Sequence, residues 1–508
     1  MKKLLLSSIL LFFAAFSMAQ LKYVDSMYPN SGITITKKLK YAYGITVLTG
    51  FPKLDSMYFD LYEPTGNTDA KRPLIIFAHT GNFLPRYKNK QPTGARDDSA
   101  TVAICKKFAQ RGYVVASMSY RLGWNPISPD VNVRRGTIIN AAYRGVQDLS
   151  ACVRYFKKHI KEGGNTWKID STMFAVGGQG TGGYVTLAYA SLDRQSEIRI
   201  PKFFDFNANK WMVQDSALLG DINGFRIAGT TGALVTENHK GYTSNSKVAF
   251  NFGGMMGDTS WLEAGEMPII AIHGIYDPFA PYNYGTVYVP GTTPPLTVVD
   301  ASGSGDVMMR VNKLGNNSIY KGKVKDVYTT RANKLNKGYD GLFPIDGLAN
   351  GSAPWEWWAD TSYLRSYLTG SGAFTQAEIT EVNTNGYKSN PFVSKARAMR
   401  YIDTMVSYVA PRLAVTMGLQ IAVNVVSVNP TNAVVLYPNP TRNLLTITNN
   451  ASENKLKNAI ITDLNGKVLK SISVSNNQMT TNLNLPAGIY LVQLHFQNGS
   501  GVKKLVVQ

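Results

Sequence analysis

Val176-Gly177-Gly178-Gln179-Gly180-Thr181-Gly182-Gly183 is the stretch that decides the fold. An apolar run over 173–176 leads into it, and a helical pattern opens beyond it near Tyr184. Glycines at this density let the backbone reverse sharply between a strand and a helix. The apex of the turn, Gly180, carries no side chain.

Working outward, short apolar runs alternate with helical patterns from about residue 33 to 415. Strands are predicted over 33–47, 57–62, 73–78, 113–118, 173–176, 248–252 and 268–272. Helices are predicted over 98–110, with Asp97 or Asp98 as cap, and over 138–160, 306–314, 373–382 and 394–413. In the long helix Ala142, Val146, Leu149 and Val153 recur at helical spacing. Buried strands separated by helices imply an α/β fold, a mainly parallel sheet with helices on both faces. Residues 282–305, rich in Gly, Pro, Thr and Ser, read as a loop beyond a strand's carboxyl end, and so near the site. After about residue 425 the pattern changes to short alternating strands with an Asn465-Gly466 hairpin turn, a small C-terminal all-β sandwich.

The chain opens with Lys2 and Lys3, an apolar stretch over 4–16, and small residues in Ser17-Met18-Ala19. That is the layout of a secretory signal peptide over 1–19, so the mature protein is expected to begin at Gln20. The stretch falls short of the roughly 20 residues of a membrane span. No cysteine follows it directly, which argues against a lipid anchor. The two cysteines, Cys105 and Cys152, fall in helices on either side of a predicted strand. Helices on opposite sheet faces hold their thiols beyond disulfide reach, so both read as buried small hydrophobes. The formal net charge of +20 favours anionic surface polymers. The lysines are spread along the chain, however, and no specific nucleic-acid site is implied. No His/Asp/Glu cluster has metal-ligand spacing, and no phosphate loop or dinucleotide fingerprint is present, so no cofactor is expected.

Three motifs carry a resemblance to the α/β-hydrolase family, carboxylesterases and lipases in particular. The turn Gly178-Gln179-Gly180-Thr181-Gly182 resembles the G-x-S-x-G nucleophile elbow, with glycine where the serine stands. His79-Thr80-Gly81-Asn82-Phe83 is similar to the H-G-G-G-F oxyanion loop. The resemblance implies that backbone N–H groups at Gly81, Asn82 and Thr181 face a developing oxyanion. His273-Gly274-Ile275-Tyr276-Asp277-Pro278 resembles the motif that carries the acidic triad member, here Asp277, with His273 a structural residue at the strand end. The family's base is a histidine downstream of the acid. The five histidines are His79, His159, His239, His273 and His495, and none lies between Asp277 and the C-terminal module. Asn350, Gly351 or Ser352 is expected in its place. Gln179, Trp355 and Trp357, with Trp358, are candidates to line a pocket for an ester, acyl or glycan ligand.

The C-terminal module, over 430–508, resembles the sorting domain of the bacterial type IX secretion system. Its carriers are Tyr437-Pro438-Asn439-Pro440, Asp463-Leu464-Asn465-Gly466-Lys467-Val468, Leu485-Pro486-Ala487-Gly488-Ile489-Tyr490 and Lys503-Lys504-Leu505. The likeness implies handling by the type IX machinery and a secreted or cell-surface location. The expected organisation is a signal peptide, an α/β-hydrolase-like domain over 20–425 and the sorting module. Loss of nucleophile and base together points to an exported pseudoenzyme that binds rather than cleaves. The alternatives are a secreted carboxylesterase or polyester-depolymerase-like hydrolase with a non-standard site, and a surface adhesion module.

Overall fold

The computed structural model describes residues 21–508 apart from 49, 90, 291, 325, 347–375, 378–379, 382–383, 385–393, 420–429, 451–454, 465, 475–476 and 498–499. The described residues divide into two compact units, one within 19–423 and one within 424–508.

In the larger unit β1 (Ile33–Thr46), β2 (Lys53–Pro64), β3 (Arg72–Ala78), β4 (Val114–Met118) and β5 (Ile169–Gln179) are interleaved with α1 (Arg86–Asn89), α2 (Ser99–Ala109) and α3 (Val131–Glu162). Helix α4 (Thr181–Ser191) follows β5, and a two-residue hairpin, β6 (Phe204–Asp205) and β7 (Lys210–Trp211), comes next. Then come β8 (Val248–Phe252), β9 (Ile269–Gly274), a second hairpin of β10 (Gly285–Tyr288) and β11 (Thr297–Ala301), α5 (Ser304–Lys313), α6 (Val327–Ala332), β12 (Leu342–Ile345) and α7 (Lys395–Met417). Eight strands form one sheet in the order β1-β2-β4-β3-β5-β8-β9-β12. The first two pairings, β1 with β2 and β2 with β4, are antiparallel, and the rest are parallel. The mainly parallel α/β sheet expected from the sequence is therefore the fold.

Period-two alternation builds the two cores. On β3, Leu74, Ile76 and Ala78 join the core under α3 and α4, while Ile75 and Phe77 join the one under α2 and α7. Cys152 packs in the first and Cys105 in the second, both buried and free.

Several elements differ from their expected extents. Helix α4 starts directly after Gly180, not near Tyr184, because the turn itself supplies its N-cap residue. Helix α3 begins at Val131, seven residues early, because the Asp130 carboxylate accepts the Asn132 N–H at 2.8 Å and caps it there. Asp98 precedes α2 without a side-chain cap; its carboxylate takes Arg86 and the N–H groups of Gly94 and Ala95 instead. Residues 282–305 are not one loop, since β10 and β11 pair there and Thr286 donates to Asp300 across the hairpin. The predicted helix over 373–382 lies largely outside the described residues. Among the described residues no helix is long and apolar enough to cross a membrane.

The smaller unit has a three-stranded sheet, β13-β14-β17, and a four-stranded one, β16-β15-β18-β19. These run Val434–Tyr437 (β13), Leu444–Asn449 (β14), Leu456–Thr462 (β15), Val468–Ser473 (β16), Gln478–Asn482 (β17), Gly488–Phe496 (β18) and Ser500–Val507 (β19). Every pairing is antiparallel. Leu445 and Ile447 of one sheet share a core with Ile461, Val492 and Leu505 of the other, which makes a sandwich.

Candidate functional site

Gly180 sits at φ 50°, ψ −117°, between the end of β5 and the first turn of α4. A side chain with a β-carbon is strained there, and glycine is not. Its N–H donates to Phe252 O at 2.8 Å, and its carbonyl accepts the Tyr184 N–H at 3.1 Å. The flanking glycines serve close approach: a β-carbon on Gly182 would overlap the Ala78 carbonyl, and one on Gly178 would overlap the backbone of Gly182. The strand-to-helix turn is thus tightly closed, and its apex offers no side-chain hydroxyl.

Facing the turn is the loop after β3. Gly81, Asn82 and Phe83 all have positive φ, at 127°, 56° and 52°. Side chains hold this unusual run in place. Asn89 Nδ2 donates to the carbonyls of Gly81 (2.8 Å), Leu84 (3.2 Å) and Thr93 (2.8 Å), and Trp124 Nε1 donates to Asn82 O at 2.7 Å. Among the described residues no acceptor meets the backbone N–H of Asn82 or of Thr181. Both residues line a cavity of about 440 Å³ above Gly180. The other walls are largely apolar, with aromatic rings of Phe83, Trp124, Tyr184, Trp261, Phe279 and Tyr288 among aliphatic side chains.

Asp277 reaches the same cavity from the loop after β9. Its Oδ1 accepts the N–H groups of Phe279 (2.9 Å) and Ala280 (3.0 Å). Burial pushes its carboxyl up to about 7, with those two hydrogen bonds pulling the other way. His273, fully buried, places Nε2 3.8 Å from Asp277 Oδ2. That nitrogen is spent on the Ala280 carbonyl at 2.8 Å, while Nδ1 meets the Ser304 hydroxyl at 2.8 Å. Burial lowers its pKa to about 4, so the ring is neutral.

Three other histidines of the larger unit are engaged away from Asp277. His79 stacks on Tyr120 at 4.7 Å and bonds Thr80 O through Nδ1 at 2.6 Å. His159 stacks on Trp167, and His239 bonds the carbonyl of Tyr41 on β1, across the sheet from Asp277. His495 belongs to β18 of the smaller unit.

The structure therefore gathers Gly180, Thr181, Asn82 and Asp277 around one cavity. Gly81 shapes the loop without lining that cavity. Gln179 does not line it either: alternation along β5 sends it to the face of Ala175, where it is fully buried. Its amide meets no hydrogen-bond partner among the described residues. Trp355 and Trp357, with 350–352, lie outside the described residues. Sequence reasoning missed Trp124, which follows β4, and the β10–β11 hairpin, which supplies Val287 and Tyr288. The available signal was position, because both lie beyond carboxyl ends of parallel strands.

The secretion system C-terminal sorting domain family matches residues 435–508, and the BD-FAE family matches residues 59–289. Among curated proteins none matches the chain. Similar solved structures include esterase 2 of Thermogutta terrifontis with butyrate bound, 14% identical, over 63% of this chain and 92% of that one, at a TM-score of 0.34. The same esterase phosphonylated by sarin is 14% identical over 58% of this chain and 80% of that one, at a TM-score of 0.31. A truncated carbohydrate esterase from gut microbiota is 16% identical over 51% of this chain and 81% of that one, at 0.30. The sorting domain implies handling by the type IX secretion machinery and makes this a secreted or cell-surface protein. The chain thus has a mainly parallel α/β domain, matched over 59–289 by the BD-FAE family, followed in sequence by a β-sandwich matched over 435–508 by the secretion system C-terminal sorting domain family.

Proposed function

We propose that this exported protein uses its hydrolase scaffold to bind a carbonyl-bearing ligand, an ester or acyl group, without cleaving it by serine chemistry. The observation that carries this reading is Gly180 at φ 50°, ψ −117°: the apex of the turn that would present a nucleophile has no side-chain oxygen. The accounting of histidines supports it. A triad base must reach the nucleophile and the acid at once. Among the histidines of the larger unit, His79, His159 and His239 are engaged away from Asp277, and His273 beside it has both ring nitrogens bonded.

What remains suits binding. The N–H groups of Asn82 and Thr181 are free to receive a carbonyl oxygen, and aromatic walls receive the group attached to it. A cavity of about 440 Å³ accommodates a small acyl or aromatic acid. Asp277, with its carboxyl near neutrality, can donate one hydrogen bond below pH 7.

The test is to expose the secreted protein to a fluorophosphonate probe and to short-chain nitrophenyl esters, and to follow ligand binding by the fluorescence of Trp124 and Trp261. Fluorescence should respond saturably to ester and acid ligands, with neither labelling nor turnover. Stoichiometric labelling of any serine at the cavity would overturn the reading.

A further inference from the structure

A second cavity, of about 530 Å³, lies on the other side of Trp124, whose indole lines both. We propose that this second cavity binds the hexuronate units of an acidic polysaccharide, with Arg144 receiving the carboxylate. The site differs from the one at Gly180, and its occupancy does not depend on whether an ester is cleaved there.

An unbalanced charge marks this cavity. Arg144, on α3, is 4% exposed. One terminal nitrogen donates to Gly123 O at 2.6 Å, but Nε has no hydrogen-bond partner. The nearby carboxylate, Asp148, is already taken. It accepts Arg121 Nε at 2.8 and 3.0 Å and the Arg121 backbone N–H at 2.7 Å. No carboxylate among the described residues pairs with Arg144. Burial, with Arg121 adding to it, lowers its pKa to about 10, so the guanidinium stays charged at neutral pH. A buried, unpaired cation is costly in the fold, and an anionic ligand offsets that cost.

Two of the three other charged lining residues have the same sign. Lys88 and Lys210 join Arg144, and Asp205 is the opposing carboxylate. Asp205 is occupied locally, its Oδ1 accepting the N–H groups of Asn207 and Ala208 at 3.0 Å each. Trp124 and Trp211 offer apolar faces of the kind that stack on sugar rings, and Asn125, Asn132 and Gln214 offer amides for hydroxyls. Three large apolar side chains stand exposed close in sequence to lining residues: Phe51 beside Gly50, Ile127 near Asn125, and Phe206 beside Asp205, at 79%, 77% and 75% exposure. The net charge of +20 gives long-range attraction to an acidic polymer.

The experiment is calorimetric titration of the full secreted protein with oligomers of galacturonate, glucuronate and mannuronate. The comparators are a neutral oligogalactoside and a single-stranded DNA of matched length. At least one uronate oligomer should bind, weakening with added salt, and at least about tenfold tighter than the neutral oligomer. Arg144→Gln should lose about tenfold or more, and Lys210→Ala about two- to threefold. Gly136→Leu tests the site without touching a charge. Gly136 lines the cavity, and a β-carbon there meets Met212 only at 3.9 Å, so leucine fills the space while suiting the helix. It should abolish uronate binding with an unchanged melting temperature. Absence of uronate binding, equal binding of the neutral oligomer or of DNA, or full binding by folded Gly136→Leu would each overturn the proposal.

Discussion

His273 Nε2 lies 3.8 Å from Asp277 Oδ2, yet donates its proton to the carbonyl of Ala280 at 2.8 Å. The same loop residue supplies the N–H that Asp277 Oδ1 accepts at 3.0 Å. Histidine and acid are thus tied to one another through the loop backbone rather than arranged toward Gly180. The pair shapes a strand end and leaves the Asp277 carboxyl on the cavity wall.

That carboxyl sets a pH dependence. Burial raises Asp277 from 3.8 to about 7, so the folded state favours the protonated acid more than the unfolded chain does. Its stabilising contribution is complete below about pH 4 and is lost as pH rises through 7. Asp277→Asn keeps the oxygen that accepts from Phe279 and Ala280. The variant should therefore match the wild type near pH 3.5 and exceed it in stability at pH 8, by at most about 4 kcal/mol. Urea unfolding at both pH values measures this, and a pH-independent difference would refute the raised pKa.

Gly180→Ala should destabilise the larger unit by about 1–3 kcal/mol, because φ 50°, ψ −117° strains a β-carbon. Gly180→Ser should bear the same cost and gain little turnover of nitrophenyl esters. General-base help is worth about 10²–10⁴-fold, and the geometry offers none. Robust activity from the single serine would mean that a base reaches the turn after all.

Asn89 holds the loop that presents the Asn82 N–H, through three backbone carbonyls. Asn89→Ala leaves those acceptors without their donor and should cost about 1–3 kcal/mol. Ligand-induced fluorescence change at the cavity should weaken along with it. Unchanged ligand affinity would show that the loop keeps its shape without Asn89.

Removal of residues 430–508 should stop the protein from reaching the cell surface or medium and leave it in the periplasm. Immunoblots of cell fractions report this directly. Normal external levels of the truncated chain would place the sorting information elsewhere.

Much of this was legible without coordinates. Alternating apolar strands and helices encode a layered sheet locally, and the glycines around Gly180 encode the turn that ends β5. That position 180 is glycine and that no histidine lies between Asp277 and the sorting module are facts of sequence alone, as are the sorting motifs from Tyr437 to Leu505. Only the tertiary structure decided what the remaining groups do. Whether His273 is a base depends on Ser304 and Ala280 arriving at its two nitrogens. The ionisation of Asp277 depends on how much water the fold removes. Gln179 was misplaced because its face follows the strand's alternation, and Trp124 was overlooked because its wall forms only when the loops after β3 and β4 meet. Patterning fixes backbone layers through local periodicity, whereas a site is made by desolvation and by contacts between residues far apart in the chain.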